Sequence, residues 1–218
     1  MKLSLKLGGL TRADDVGLVP AGGVAGFLIG APASPRNLTK EAAAALIERV
    51  PKEAEAWAVV VGPTADEIHA LFDEVGVDRV QVYGAIPDGL EFLELHHLVP
   101  SLAVPPVGVE GESPKVPPAE DFPRLHLDAA GDAVASGSAR VPNWEICAQI
   151  VDTQPGRKFT LAGGLTAENV AEALGIVHPW GLDVTLGVER APGVLDPSRL
   201  QAFVTAIEAH ETGATDGG

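Results

Sequence analysis

Cysteine, tyrosine and methionine each occur once in these 218 residues, aromatic residues make up 5%, and 15 lysines and arginines face 30 aspartates and glutamates. Each shortage excludes something. A single thiol, Cys147, forbids an internal disulfide and a cysteine-built metal site, as expected for a reducing cytoplasm. The shortage of basic residues leaves a formal net charge of -15, a field that repels nucleic-acid phosphates and anionic membrane surfaces. Neither is expected as a partner, and any anionic ligand must be held by local donors; the acidity itself also fits a solubility adaptation. Long hydrophobic runs are scarce too. The uncharged run Val16 to Ala33 is 18 residues long, but its five glycines and two prolines suit a helix end, a turn and a strand better than a membrane span. Met1 to Gly9 is too short, and with Lys2 and Lys6 too charged, to read as a secretory leader.

What is abundant is a rhythm. Leu3, Leu5 and Leu7 alternate with Ser4, Lys6 and Gly8, the mark of a strand with one apolar face. A short helix from Thr11 to Val19, a strand Gly26 to Gly30 and a helix opened by Thr39 and closed before Pro51 follow. The alternation continues with strand Trp57 to Val61, helix Thr64 to Val75, strand Arg79 to Tyr83, a helical piece from Gly89 to His97 and a weak strand Ser101 to Val104. The proline-rich, acidic Pro105 to Pro123 predicts an irregular connection. Strand Arg124 to Asp128, helix Asn143 to Asp152, strand Lys158 to Ala162, a helix capped by Thr166, strand Leu182 to Leu186 and helix Pro197 to His210 complete eight strand-then-helix units.

Eight parallel strands with right-handed crossovers close naturally as a single (β/α)8 TIM barrel, here over residues 1–211 with a disordered tail at 212–218. An open doubly wound sheet would need a glycine fingerprint after the first strand, and GGLTRADD lacks that spacing. In such barrels function sits at the carboxyl ends of the strands, and the loops after strands seven and eight are the usual phosphate site. Those loops carry Gly163, Gly164 and Gly187, whose neighbouring amide N–H groups suit an anion. All three also fit plain turn geometry with positive φ, which is compatible with phosphate binding. A small phosphorylated ligand in the barrel mouth is the expectation. His96 and His97 have no acidic or cysteine partners at ligand spacing, so neither a metal nor a cofactor is expected.

The stretches KLGGLT (Lys6 to Thr11), GF with SPR (Gly26, Phe27, Ser34 to Arg36), VQVYG (Val80 to Gly84), LDA (Leu127 to Ala129), LAGGLTAENV (Leu161 to Val170) and GLDVTLGVERAPGVLD (Gly181 to Asp196) together resemble the phosphoribosylanthranilate isomerase family of tryptophan biosynthesis. That resemblance implies an Amadori rearrangement. An aminoaldose ring opens, a proton leaves C2', and a 1-amino ketose forms, which requires a general acid and a base. By position the acid is Asp128, Arg36 is the clamp for the anthranilate carboxylate, and Tyr83 and Asp183 contact substrate. It also implies a cytoplasmic protein, a monomer or a homodimer.

The departures are as informative. The family's base is the cysteine of K-I-C-G-x-T, and that position is Gly8. A histidine of Q-L-H-G is Tyr83, the G-G-T-G loop appears as ASGSAR with only Gly137 in rough register, and one serine of D-V-S-S-G-V-E is Leu186. Lys6, on the same strand face as Gly8 and one layer deeper, is a candidate replacement base if burial lowers its pKa, unless an interior acid such as Asp128 or Asp183 neutralises it. Tyr83 is a poorer candidate, its ordinary pKa being about 10. Cys147 belongs to a helix and is expected to pack. Three readings follow: a divergent isomerase, a paralogue acting on another phosphosugar, or a non-catalytic binder of a phosphate ligand.

Overall fold

The computed structural model describes residues 3–129 and 140–215. Eight parallel strands form the frame: β1 Ser4–Leu7, β2 Val24–Ile29, β3 Glu55–Val61, β4 Arg79–Tyr83, β5 Leu98–Ala103, β6 Arg124–Asp128, β7 Lys158–Leu161 and β8 Gly181–Val184. Each pairs with the next, and β1 pairs with both β2 and β8, so the sheet closes on itself. The two-residue strand Asn37–Leu38 adds to β2 outside the ring. The expected (β/α)8 barrel is therefore present.

Seven α-helices occur among the described residues: α1 Ala13–Val16, α2 Lys40–Ile47, α3 Ala65–Ala70, which continues as a π-helical turn Leu71–Val75, α4 Phe92–Leu95, α5 Trp144–Asp152, α6 Val170–Val177 and α7 Pro197–Thr215. The starts of three follow from side-chain oxygens that satisfy otherwise orphaned amides. Thr39 accepts from Ala42 N, Thr64 forms a reciprocal capping box with Glu67, and Asn143 accepts from Glu145 N and Ile146 N. The unit after β5 has no helix, as its prolines predict. Several boundaries differ from the sequence reading: β2 begins at Val24 rather than Gly26, β5 at Leu98 rather than Ser101, α1 and α4 are shorter than expected, and two later helices shift. α6 begins at Val170 because the Asn169 side chain ties Thr166 N and Gly164 O into a loop, each at 2.9 Å, which delays the first helical turn. α7 runs past His210 to Thr215, and residues 216–218, where the expected tail ends, lie outside the described residues.

Strand alternation divides the side chains into two populations. Leu5, Leu7, Phe27, Val60, Val82, Leu127 and Leu161 face the helices in one continuous apolar core; burying each such side chain contributes about 2 kcal/mol. The opposite face of β1, which carries Ser4, Lys6 and Gly8, turns into the barrel. There a low apolar layer of Val24, Trp57 and Val99 supports a polar middle layer, with Leu28, Val59 and Tyr83 above it. The barrel is floored by Glu55, whose carboxylate binds both Arg79 and Arg124. A charged floor, an apolar layer above it and a polar middle place the chemistry near the open, carboxyl-terminal rim.

Candidate active site

The barrel mouth is a hollow of about 750 Å³, open to solvent and lined by residues from the ends of several strands. A second hollow, about 820 Å³, lies outside the ring against α3 and contains none of the candidate site residues.

The middle layer is one connected polar network. Lys6 Nζ donates to Asp183 Oδ2 at 2.5 Å, and the His126 Nε2 lies 3.0 Å from the same oxygen. An ionised carboxylate oxygen only accepts, so Nε2 carries a proton. Ser101 Oγ stands 3.3 Å from the other ring nitrogen, Nδ1, and takes a 3.3 Å bond from Gln81 Nε2. Lys6 and His126 thus both donate to Asp183 Oδ2. Burial alone would raise the Asp183 pKa, but the Lys6 charge and the His126 hydrogen bond outweigh it and hold the carboxyl at about 2. Among the described residues its other oxygen, Oδ1, is buried with no hydrogen-bond partner, and so is Gln81 Oε1. A buried polar atom left without a partner costs about 1–3 kcal/mol.

Above this layer Tyr83 Oη donates to Asp128 Oδ2 at 2.7 Å. Burial, then the charges of Asp128 and Asp183, push the tyrosine pKa well above its ordinary value, so at neutral pH the phenol is a donor. This corrects the idea of Tyr83 as a base. Cys147 is fully buried in α5, and burial with the nearby Asp128 charge pushes its thiol up to about 12. It packs, as the sequence indicated, and supplies no thiolate.

Glycines 8 and 9 make room for two residues of the rim. A Cβ on Gly8 would collide with the Thr185 hydroxyl and come within 2.9 Å of Asp183 Oδ1. Gly9, at φ 69°, leaves space for Arg36, whose Cδ would lie 2.5 Å from any Cβ there. Arg36 is buried and grips Glu189 with both arms of its fork, Nε to Oε1 at 2.8 Å and Nη2 to Oε2 at 2.5 Å. The carboxylate it already holds is therefore the chain's own, which leaves Nη1 outside the pair. Gly26, across from Lys6, gives that side chain its path: a Cβ would meet Lys6 Cε at 2.9 Å.

The loops after β7 and β8 come together on one side of this mouth, with Gly163, Gly164, Leu186 and Gly187 all lining it. Gly163 and Gly164 have φ of 94° and 60°, as turn glycines should. Gly187 is different. Its φ is not positive; a Cβ there would collide with the Leu165 carbonyl, so close backbone approach is what requires glycine.

All eight residues expected at the site line this one mouth: Lys6, Arg36, Tyr83, Asp128, Gly163, Gly164, Asp183 and Gly187. The ASGSAR loop lies outside the described residues except for Arg140. Three residues of consequence escaped the sequence reading. His126 lies two positions before Asp128 in RLHLD and so shares its face, a signal that was available. Glu189 and Thr185 stand in the run Gly181 to Asp196 that carries the resemblance, but their contacts, more than 140 positions away in the sequence, are not readable from it.

Residues 5–206 match the family model for N-(5'-phosphoribosyl)anthranilate isomerase. An isomerase of that name from Pelobacter propionicus is 32% identical over 204 residues, 93% of this chain and 94% of its own length. Among solved structures, the TrpF protein of Jonesia denitrificans is 29% identical with a TM-score of 0.69, covering 96% of this chain and 98% of its own. A phosphoribosyl anthranilate isomerase in complex with reduced 1-(o-carboxyphenylamino)-1-deoxyribulose 5-phosphate has a TM-score of 0.71 at 22% identity, covering 95% of this chain and all of its own. At that identity it speaks for the fold alone.

Proposed function

This chain belongs to the N-(5'-phosphoribosyl)anthranilate isomerase family, and from that premise we propose that it rearranges N-(5'-phosphoribosyl)anthranilate to 1-(o-carboxyphenylamino)-1-deoxyribulose 5-phosphate. The observation that carries the reading is the convergence of a carboxyl group, Asp128, and a glycine-built anion cup on one open mouth. In this reading the sugar phosphate rests against the amides of the Gly163–Gly164 and Leu186–Gly187 segments. Asp128, oriented by the Tyr83 hydroxyl, protonates the ring oxygen. Arg36, steadied by Glu189, lies on the substrate's aryl side and turns Nη1 to the anthranilate carboxylate. The ion pair makes Lys6 a donor to Asp183, which argues against it as the base and for a role in holding that carboxylate.

The protein acts without a cofactor, as a monomer or homodimer in the cytoplasm; no helix is long and apolar enough to cross a membrane among the described residues. Following the fluorescence of N-(5'-phosphoribosyl)anthranilate with purified protein tests the reading. Turnover is expected, with kcat falling about 10²- to 10⁴-fold in Asp128→Asn. Gly8 favours one second reading, a protein that binds the phosphate ester without converting it. Saturable binding of the reduced product with no turnover by the wild type would decide for that alternative.

A further inference from the structure

The reaction needs a proton acceptor at C2', and Gly8 cannot provide one. The groups around the mouth narrow the choice. Lys6 already donates to Asp183, Tyr83 donates to Asp128, and both oxygens of Glu189 are held by Arg36. Gln81 offers only an amide oxygen, which is not basic. Among the described residues two lining carboxylates remain, Asp128 and Asp183. Asp183, beside an ammonium and an imidazole N–H, is held ionised and is unsuited to donate. The donor role therefore falls to Asp128.

The two oxygens of Asp183 are unequal. Oδ2 takes both Lys6 and His126, while Oδ1 is buried, lacks any hydrogen-bond partner among the described residues and lies 2.9 Å from where a residue-8 side chain would begin. We infer, on the isomerase reading above, that Asp183 Oδ1 accepts the C2' proton, with Lys6 and His126 fixing the carboxylate by its other oxygen. The Thr185 hydroxyl shares the volume over Gly8.

The electrons balance without an added reagent. Asp128 gives a proton to the ring oxygen, the C1'–O4' bond breaks, and the nitrogen lone pair forms C1'=N⁺. The C2'–H bond then breaks; its proton passes to Oδ1, its electron pair becomes the C1'=C2' bond, and the C=N π pair returns to nitrogen. The resulting enaminol becomes the ketose as O2' loses a proton and C1' gains one. O2' gives its proton to Asp128 and C1' takes the one held on Asp183 Oδ1, so over the cycle the protein gives two protons and takes two, and both carboxyl groups are restored. Because Asp183 sits beside an ammonium it is a weak base, and the cationic C1'=N⁺ bond offsets this by acidifying C2'.

The test measures kcat against pH and against variants, with the reduced product as a binding probe. For the wild type, kcat is expected to show no rising limb between pH 6 and 10, because a carboxylate acceptor is already ionised. A limb rising there would assign the proton to a histidine, tyrosine or lysine and overturn the inference without any variant. Asp183→Asn is expected to lose about 10²-fold or more in kcat while binding the reduced product within about threefold of wild type. Should the unpaired Lys6 unfold that variant, Lys6→Met with Asp183→Asn is measured instead. Adding Gly8→Cys and Thr185→Ala to the Asp183→Asn chain is expected to recover at least about tenfold, now with a rising limb in the thiol range. A folded Asp183→Asn protein with kcat within threefold of wild type sinks the inference alone. A wild type with no turnover sinks the isomerase reading and this inference with it.

Discussion

The ion pair between Lys6 and Asp183 is buried on both sides, and a buried pair that loses one partner is worse off than one that loses both. Lys6→Met leaves Asp183 as an uncompensated charge and is expected to cost about 3–5 kcal/mol in urea unfolding at pH 7. Adding Asp183→Asn to that variant is expected to recover part of the loss. The pH dependence follows from the depressed carboxyl. The folded pKa of about 2 lies below the unfolded value of 3.8, so this contribution is fully present above 3.8 and disappears as pH falls through 2. It is on the order of 2 kcal/mol. Wild-type stability should therefore drop between pH 4 and pH 2 more steeply than that of the double variant; parallel curves would contradict the pairing. Alternation along the first strand was enough to turn Lys6 inward and to name Asp183 as a possible neutraliser. The same alternation along RLHLD also aims His126 inward, whereas the choice of partner for Arg36 was hidden because Glu189 arrives from the far end of the chain.

The loops after β7 and β8 work as one element, because Gly187 packs directly on the Leu165 carbonyl. Gly187→Ala puts a methyl group against backbone that has nowhere flexible to retreat, costing about 1–3 kcal/mol of stability and parting the two halves of the anion cup. KM for the phosphorylated substrate, and the inhibition constant of inorganic phosphate, are expected to rise roughly tenfold with kcat changed far less. Equal loss in kcat with unchanged phosphate inhibition would place the phosphate elsewhere. Strand positions here were legible because period-two alternation is set by the pleat. The onset of α6 was not, since Thr166 has the look of a cap and only the fold of the loop shows Asn169 tying Thr166 N and Gly164 O together. Gly187 was likewise read as a turn glycine, and only the approach of a residue 22 positions earlier reveals its actual constraint.

At the scale of the molecule, closure of the barrel brings a net charge of -15 around a mouth meant for a ligand bearing both a phosphate and a carboxylate. Eight strand-helix units made the closed barrel readable, but the charge of the mouth depends on which ions are already paired. Lys6 and Arg36 line it and each is matched by a carboxylate, Asp183 and Glu189, so neither pair adds net positive charge. Amide N–H groups then attract the phosphate only at short range, while the long-range field is repulsive. Raising sodium chloride from about 0.01 M to 0.15 M shortens the Debye length from about 30 Å to about 8 Å. KM should accordingly fall, by roughly two- to fivefold, with kcat unchanged. A mouth governed by unpaired cations would behave in the opposite way, with KM climbing as salt screens the attraction. Steady-state kinetics across that range, with chloride as the added anion so that no phosphate or sulfate competes for the cup, separates the two.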